Sequence, residues 1–404
     1  MPSANHNRKD DGPIRVLMIA PTSFFSDYGC HVRILEESKT LGHLGHQVTV
    51  VTYRKGRAVD NINIVRTPPL PWRADYEVGS SRHKIAFDIF LFFTVLWAAL
   101  RTRPHVIHGH LHEGALIGWP IAKLLGIPLV FDLQGSLTGE MVDHHFLNPD
   151  GLLYGPMRLL ESIINKLPST ILTSTLMARD MLIEEFGVDE SRILPFPDCV
   201  TQESFAPENR PRIELKQHLG IPQDRPIVVY LGLLADYQGT PTLLHSAALL
   251  KENNTDAHFL IMGYPVHERY RQLVENLGIS DRVTLTGKIP YHQAADYLSV
   301  GDVAVAPKVS ATEGSGKVLN YMAMGIPVVA TDTPVHREYL QEMGVYAPPG
   351  DVRAFASGIE ELLLDTKRRQ QMGPALRKRV LDEYSWDTAG IKLVDIYRRI
   401  IQGA

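Results

Sequence analysis

Short apolar runs of strand length alternate with longer amphipathic stretches along the whole chain. In the first half the runs fall at residues 14–20, 47–53, 105–108, 128–133, 170–174 and 192–196. Helical patterns lie between them at 31–44, 110–125, 152–167 and 176–186. Strand, Gly-containing loop, helix, strand is the alternation of a parallel sheet covered on both faces. Residues 201–222 are rich in Pro and polar groups and predict no strand, which makes them the best domain boundary. The alternation then restarts, with strands at 227–231, 258–262, 283–286 and 303–306 and a helix at 241–253 that has Pro in its first turn. The pattern predicts an α/β protein of two doubly wound, Rossmann-like parallel-sheet domains, residues 14–205 and 206–380. A helical end follows, 381–404, in which Ser385 caps a helix with Ile391, Val394, Ile396 and Tyr397 on its apolar stripe. The basic runs 367–369 and 377–379 read as solvated helix faces.

Composition narrows this picture. A chain of 404 residues is long for one core, which agrees with two domains. The net charge of −4 argues against a general nucleic-acid binder. Cys30 and Cys199 make neither a disulfide framework nor a metal pair, as suits a reducing cytoplasm. Residues 1–13 are polar, lack the apolar core of a signal peptide and read as a disordered tail. Residues 85–100 are almost wholly apolar but would span only about 24 Å as a helix, short of a bilayer core. Asp88 interrupts them. They read as a buried helix, with peripheral contact at the inner face of a membrane as the alternative. In that alternative Trp72, Arg73, Arg82, His83 and Lys84 would meet anionic head groups.

The candidate chemistry concentrates in residues 310–333. Glu313 sits among small residues with Gly314, Ser315 and Gly316 behind it. A helix at 317–324 follows, closed by Gly325, and then an apolar strand at 326–330. A small-residue loop entering a helix exposes backbone N–H groups and the positive end of the helix dipole, which favours an anion and above all a phosphate. The stretch is no P-loop, because Ala311 and Val318 stand where Gly and Ser or Thr are needed. It is no dinucleotide fingerprint either, because Leu319 replaces the third Gly. Gly29 lies in the first strand–helix loop, where a missing side chain lets a ligand approach the backbone. His108, His110 and His112 alternate, but the strand is expected to end near His108 and no carboxylate converges on them in the sequence. They read as polar lining of a cleft rather than metal ligands.

The segments G-H-Q-V-T-V-V-T, H-V-I-H-G-H, V-V-Y-L-G-L-L-A-D-Y-Q-G-T and E-G-S-G-K-V-L-N-Y-M-A-M-G-I-P-V-V-A, with Y-S-W-D before the last helix, resemble the family-4 retaining glycosyltransferases of the two-Rossmann-domain GT-B architecture. The resemblance covers nearly the whole chain after the tail. It implies an acceptor-binding first domain, a second domain that binds a nucleotide-sugar donor, a cleft between them, and a final helix crossing back to the first domain. It also implies retention of anomeric configuration, and neither a bound metal nor a cofactor beyond the donor as co-substrate.

Carried over by position, the resemblance puts Gly29 near the donor phosphates, with Cys30 in place of a second Gly. Glu313 takes the place of a donor-sugar acid, and Asn320 that of the glutamate that holds the ribose. Leu233 and Gln238 stand where Arg and Lys would meet the diphosphate, and Gln134 where a catalytic-site His is usual. Gly232, Gly239, Lys288, Gly314, Ser315, Gly316 and Val318 complete the expected donor side, and His110 joins Glu313 and Gln134 as a catalytic candidate. A departing diphosphate gains negative charge, so two lost cations need replacements. Lys308 and Lys317 are the expected ones.

The expectation is a glycosyltransferase acting on a glycan, lipid or small-molecule acceptor, with no nucleic acid as partner. A catalytically weak regulatory protein on the same fold is the rival, favoured by the substitutions at Leu233, Gln238, Gln134 and Asn320. A nucleotide-sugar epimerase and a dehydrogenase are less well supported.

Overall fold

The computed structural model describes residues 12–26, 29–69, 84–208, 210–309 and 313–403. Most of the expected tail, Trp72, Arg73, Arg82 and His83 of the expected head-group cluster, and 310–312 of the central loop lie outside the described residues.

The first half gives β1 (Arg15–Ala20), α1 (Gly29–His43), β2 (Gln47–Thr52), β3 (Asn63–Arg66), α2 (Lys84–Thr102), β4 (Val106–His110), α3 (Leu111–Leu125), β5 (Leu129–Leu133), α4 (Leu137–Asp143), α5 (Tyr154–Lys166), β6 (Thr170–Thr173), α6 (Leu176–Glu184) and β7 (Ile193–Pro195). The remainder gives α7 (Arg212–His218), β8 (Ile227–Leu233), α8 (Thr240–Glu252), β9 (His258–Tyr264), α9 (Glu268–Asn276), β10 (Val283–Leu285), α10 (Ala294–Ser299), β11 (Val303–Ala306), α11 (Gly316–Ala323), β12 (Val328–Thr331), α12 (Pro334–Leu340), β13 (Val345–Ala347), α13 (Val352–Leu364), α14 (Thr366–Glu383) and α15 (Trp386–Gln402).

Two sheets result, ordered β3-β2-β1-β4-β5-β6-β7 and β10-β9-β8-β11-β12-β13. Strands pair in parallel, as where Met18 stands between Val50 and His108. In each sheet the order reverses beside the first strand in sequence, between β1 and β4 and between β8 and β11. Ligands of such sheets bind outside the carboxyl ends of the strands at these reversals. The central strands are largely buried and mostly apolar because helices cover both faces, with His108 and His110 on β4 and Asp132 on β5 as exceptions. In β8, Ile227 and Val229 enter one core while Val228 and Tyr230 enter the other.

The chain forms two compact units, residues up to 132 with 163–171 and 390–404, and residues 133–162 with 172–389. The final residues thus pack with the first unit. Ser385 accepts from the Asp387 N–H at 3.3 Å at the start of α15. Leu393, Val394, Ile396 and Tyr397 are buried on α15, but Ile391 is exposed and stands outside the stripe expected for it.

The run at 201–222 holds α7 and, as expected, no named strand among the described residues. Other expectations needed correction. β3 and β13 escaped notice because they are short, half-exposed edge strands. The C-terminal basic runs are not simply solvated: Arg377 donates to the carbonyls of Phe205 and Ala323, and Arg379 to that of Tyr339 at 2.9 Å. Guanidinium offers several donors in fixed directions and so ties helix ends together.

Candidate active site

In the second unit the site is built where β8 and β11 leave their sheet. Gly239 precedes α8 at φ +76°, and a Cβ there would collide with the Pro307 carbonyl just after β11. Glycine is therefore required for the loop after β8 to lie against the β11 exit. That loop carries Gln238, which is buried. Lys317, in the first turn of α11, donates through Nζ to Gln238 Oε1 at 2.6 Å and to Tyr230 Oη at 3.3 Å. Its ammonium lies 4.8 Å from the centre of the Tyr230 ring. A Cβ on residue 232 would stand 2.7 Å from Lys317 Nζ, so Gly232 makes room for the lysine. Lost solvation, and then the neighbouring charge of Lys308, bring the Lys317 ammonium down to about 7.

Lys308 follows β11 and is 2% exposed. Its Nζ donates to Glu313 Oε2 at 3.1 Å, to the Glu313 carbonyl at 3.2 Å and to the Gly314 carbonyl at 3.1 Å. One cation thus fixes the loop at three oxygens. Burial would raise the Glu313 carboxyl, but Lys308 outweighs it and holds the group below its usual range. Glu313 also forms an isolated antiparallel bridge with Gly135, which brings it to the segment that carries Gln134. The Gln134 carbonyl accepts from Ser174 Oγ at 3.3 Å. Ser315 Oγ lies 3.1 Å from His336 Nε2, and His336 Nδ1 donates to the Thr331 carbonyl at 2.7 Å. Burial holds His336 at about 4, so a neutral ring accepts from Ser315. A Cβ on Gly314 or Gly316 would stand 3.0 or 3.2 Å from Asp198 Oδ2, so the two glycines let this carboxylate come close to the start of α11.

The structure thus groups Gly232, Gln238, Gly239, Lys308, Glu313, Gly314, Ser315, Gly316 and Lys317, with Gln134 one residue from the bridge. Val318 is fully buried in the core, and its N–H donates to the Ser315 carbonyl at 2.8 Å, so its side chain packs rather than binds. Asn320 is half-buried one turn into α11. Lys288 lies on an exposed loop after β10, at the sheet edge. Gly29 is the exposed first residue of α1 in the first unit, with open space where a Cβ would point. Tyr230, Asp198 and His336 were not anticipated. Only His336 had a local signal, the helix start T-P-V-H after β12.

His110 belongs to a different cluster, in the first unit. β4 runs on to His110 rather than ending near His108. The two rings therefore share a face and stack with centres 4.4 Å apart, while His112 lies on α3. Carboxylates do converge on them, contrary to expectation. His110 Nδ1 donates to Asp132 Oδ2 at 2.9 Å, and its Nε2 is 3.7 Å from Glu37 Oε2. Arg33 donates through Nε and Nη2 to Asp132, at 2.9 and 2.7 Å to the nearer oxygens, and its Nε lies 3.3 Å from Glu37 Oε1. His108 Nδ1 lies 2.6 Å from Tyr397 Oη. Burial keeps His108 neutral and the Tyr397 phenol protonated, so the phenol donates. Burial would raise Asp132, but Arg33 and then His110 hold it well below the carboxylate range. Glu37, His108, His110 and Asp132 offer ligand atoms within 4.8 Å of one another, a donor set that suits a transition metal. Arg33, in contact with both carboxylates, already supplies the positive charge that a metal would bring. The cluster is thus a buried charge network at the ends of β4 and β5.

Comparison with known proteins agrees with this architecture. Residues 28–199 match the model of the glycosyl transferase 4-like domain, and residues 211–379 that of glycosyl transferases group 1. An alpha-D-kanosaminyltransferase of Streptomyces kanamyceticus is 28% identical over 76% of this chain and 82% of its own length. A D-inositol 3-phosphate glycosyltransferase of Xylanimonas cellulosilytica is 25% identical over 91% of each chain. Among solved structures, a sucrose-phosphate synthase from Thermosynechococcus elongatus superposes with a TM-score of 0.83 at 18% identity, covering 97% of this chain and all of that one. Anabaena HepE in complex with UDP-glucose superposes with a TM-score of 0.77 at 14% identity, covering 96% of this chain and all of that one. With family matches in both halves and GT-B neighbours along nearly its whole length, the chain belongs to the group 1, family-4 glycosyltransferases.

Proposed function

We propose that the protein transfers a sugar from a nucleotide-diphosphate sugar to an acceptor hydroxyl with retention of anomeric configuration and without a bound metal. Lys317 and Lys308 neutralise the departing diphosphate. The observation that carries this reading is the bond from Lys317 Nζ to Gln238 Oε1. Gln238 stands where the family pattern has a lysine, so the ammonium of Lys317 reaches the position left without charge. Lys308 anchors Glu313, whose ionised carboxylate is suited to accept from a sugar hydroxyl. Fixed cations stabilise growing charge in a transition state without reorganising, which is the role a divalent ion would otherwise take. The relatives named above supply first acceptors to test, D-inositol 3-phosphate among them.

The test is turnover of UDP-, GDP- and ADP-sugars with such acceptors, with product linkage read by proton NMR and a chelator present in half the reactions. The expected result is a product of the donor's own configuration and a rate that the chelator changes less than about twofold. An inverted linkage, or a rate abolished by the chelator, contradicts the proposal. Tight nucleotide-sugar binding without any turnover would favour the rival reading, a binding protein on this fold, which the absence of His at Gln134 favours.

A further inference from the structure

The helix α2 is apolar on two faces. Phe87, Leu91, Val95, Ala98 and Ala99 are buried in the first unit's core. Ile89, Phe93, Trp97 and Leu100, at spacings of four, four and three, form a second stripe that is 54%, 63%, 52% and 59% exposed. A surface helix of a water-soluble domain is ordinarily polar on that side. The neighbouring α3 adds Leu124, 70% exposed, and Leu116. A contiguous apolar surface of this kind marks an interaction site.

Charge selects the partner. Exposed Arg101 stacks on the Trp97 ring at 5.4 Å, exposed Arg103 follows α2, and exposed Lys123 lies in the last turn of α3. Both helices run against the strands, so these cations gather at one end. Arg15, at the start of β1, is tied to the same end by its bond to the Arg103 carbonyl at 2.8 Å. The carboxylates of the two helices are engaged elsewhere: Asp88 accepts from Tyr53 Oη, and Glu113 pairs with Lys84. An apolar stripe ending in Trp and Arg, with cations and no opposing acid on either helix, fits an anionic bilayer surface. A second copy of the same face would bring like charges together. Among the described residues no helix is long and apolar enough to cross a membrane. We therefore infer that α2 and α3 form a peripheral docking face that lies in the plane of an anionic lipid surface. This inference rests on the outer face of the first unit and is independent of the donor site.

The test is co-sedimentation of the full chain with vesicles of phosphatidylcholine, alone or with about one third phosphatidylglycerol. The protein is expected to sediment with the anionic vesicles and to be released by high salt. Phe93→Glu/Trp97→Glu is expected to lower partitioning about tenfold or more, and the charge reversal Arg101→Glu/Arg103→Glu to lower it comparably. Nucleotide binding is expected to persist in both variants. The inference is overturned if the protein ignores both kinds of vesicle, or if both variants bind as well as the parent. It is also overturned if the parent is a dimer in solution that Phe93→Glu/Trp97→Glu dissociates.

Discussion

Replacing Arg33 by Met lowers stability by about 3–5 kcal/mol at neutral pH, the usual cost of removing one partner from a buried ion pair. The guanidinium is the cation in contact with both Asp132 and Glu37, and all three side chains are at most 2% exposed. Without it, two carboxylates remain in the core against a histidine pair. The pH dependence has a definite sign. In the parent, Asp132 is depressed below its ordinary value of 3.8, so it contributes stability above that value and loses it as pH falls. In the variant, burial is no longer opposed by Arg33 and the carboxyl is raised, so the penalty is full at neutral pH and shrinks in acid as Asp132 protonates. Urea midpoints at neutral pH and near pH 4 measure both effects. Equal midpoints for parent and variant at neutral pH would show that the network carries no net stability.

Lys317→Ala is expected to lower kcat about 10²–10³-fold, the cost of losing one fixed donor to transition-state charge. The substitution removes a cation that contacts only Gln238 and Tyr230 among its described hydrogen-bond partners, so the fold should tolerate it. Lys308→Ala is expected to act differently. Lys308 holds the carboxylate and carbonyl of Glu313 and the carbonyl of Gly314, so its loss frees the loop as well as removing charge. KM for the donor should rise about tenfold or more alongside the loss in kcat. Steady-state kinetics with the preferred donor separate the two signatures. Unchanged kcat and unchanged donor affinity in both variants would remove the lysines from the mechanism.

The sequence conveyed the β/α alternation well, because strands buried on both faces read as unbroken apolar runs, as at β11 and β12. It conveyed less where burial is partial: β3 and β13 carry no such run. The end of β4 was misjudged because His108-Gly109-His110 is polar in composition, although all three residues are fully buried or form strand backbone. That one error hid the network, since Glu37 and Asp132 meet the histidines only once β4 reaches His110. In the second unit, the Glu313 loop and both lysines stood out in the motif, and the structure brings Lys308 to Glu313. The partner of Lys317 was not, because the Gln238 contact depends on a loop fixed by Gly239 against Pro307. Asp198 and His336 reach the same loop from residues far away in sequence, and no spacing rule announces such contacts.

The central claim is that Lys317 supplies the charge that meets a nucleotide diphosphate. With its ammonium brought down to about 7 in the free protein, diphosphate binding should raise it and take up a proton. Affinity is then full below about pH 7 and falls as pH rises, by at most about tenfold per unit. The deciding measurement is calorimetric titration of the parent and Lys317→Ala with UDP, GDP and ADP, free of metal, near pH 6 and near pH 9. The account predicts micromolar binding of one nucleotide to the parent, weaker at the higher pH, and binding to Lys317→Ala that is about tenfold or more weaker and largely insensitive to pH. Binding of equal strength and equal pH dependence in the two proteins, or no binding to the parent at all, would contradict it.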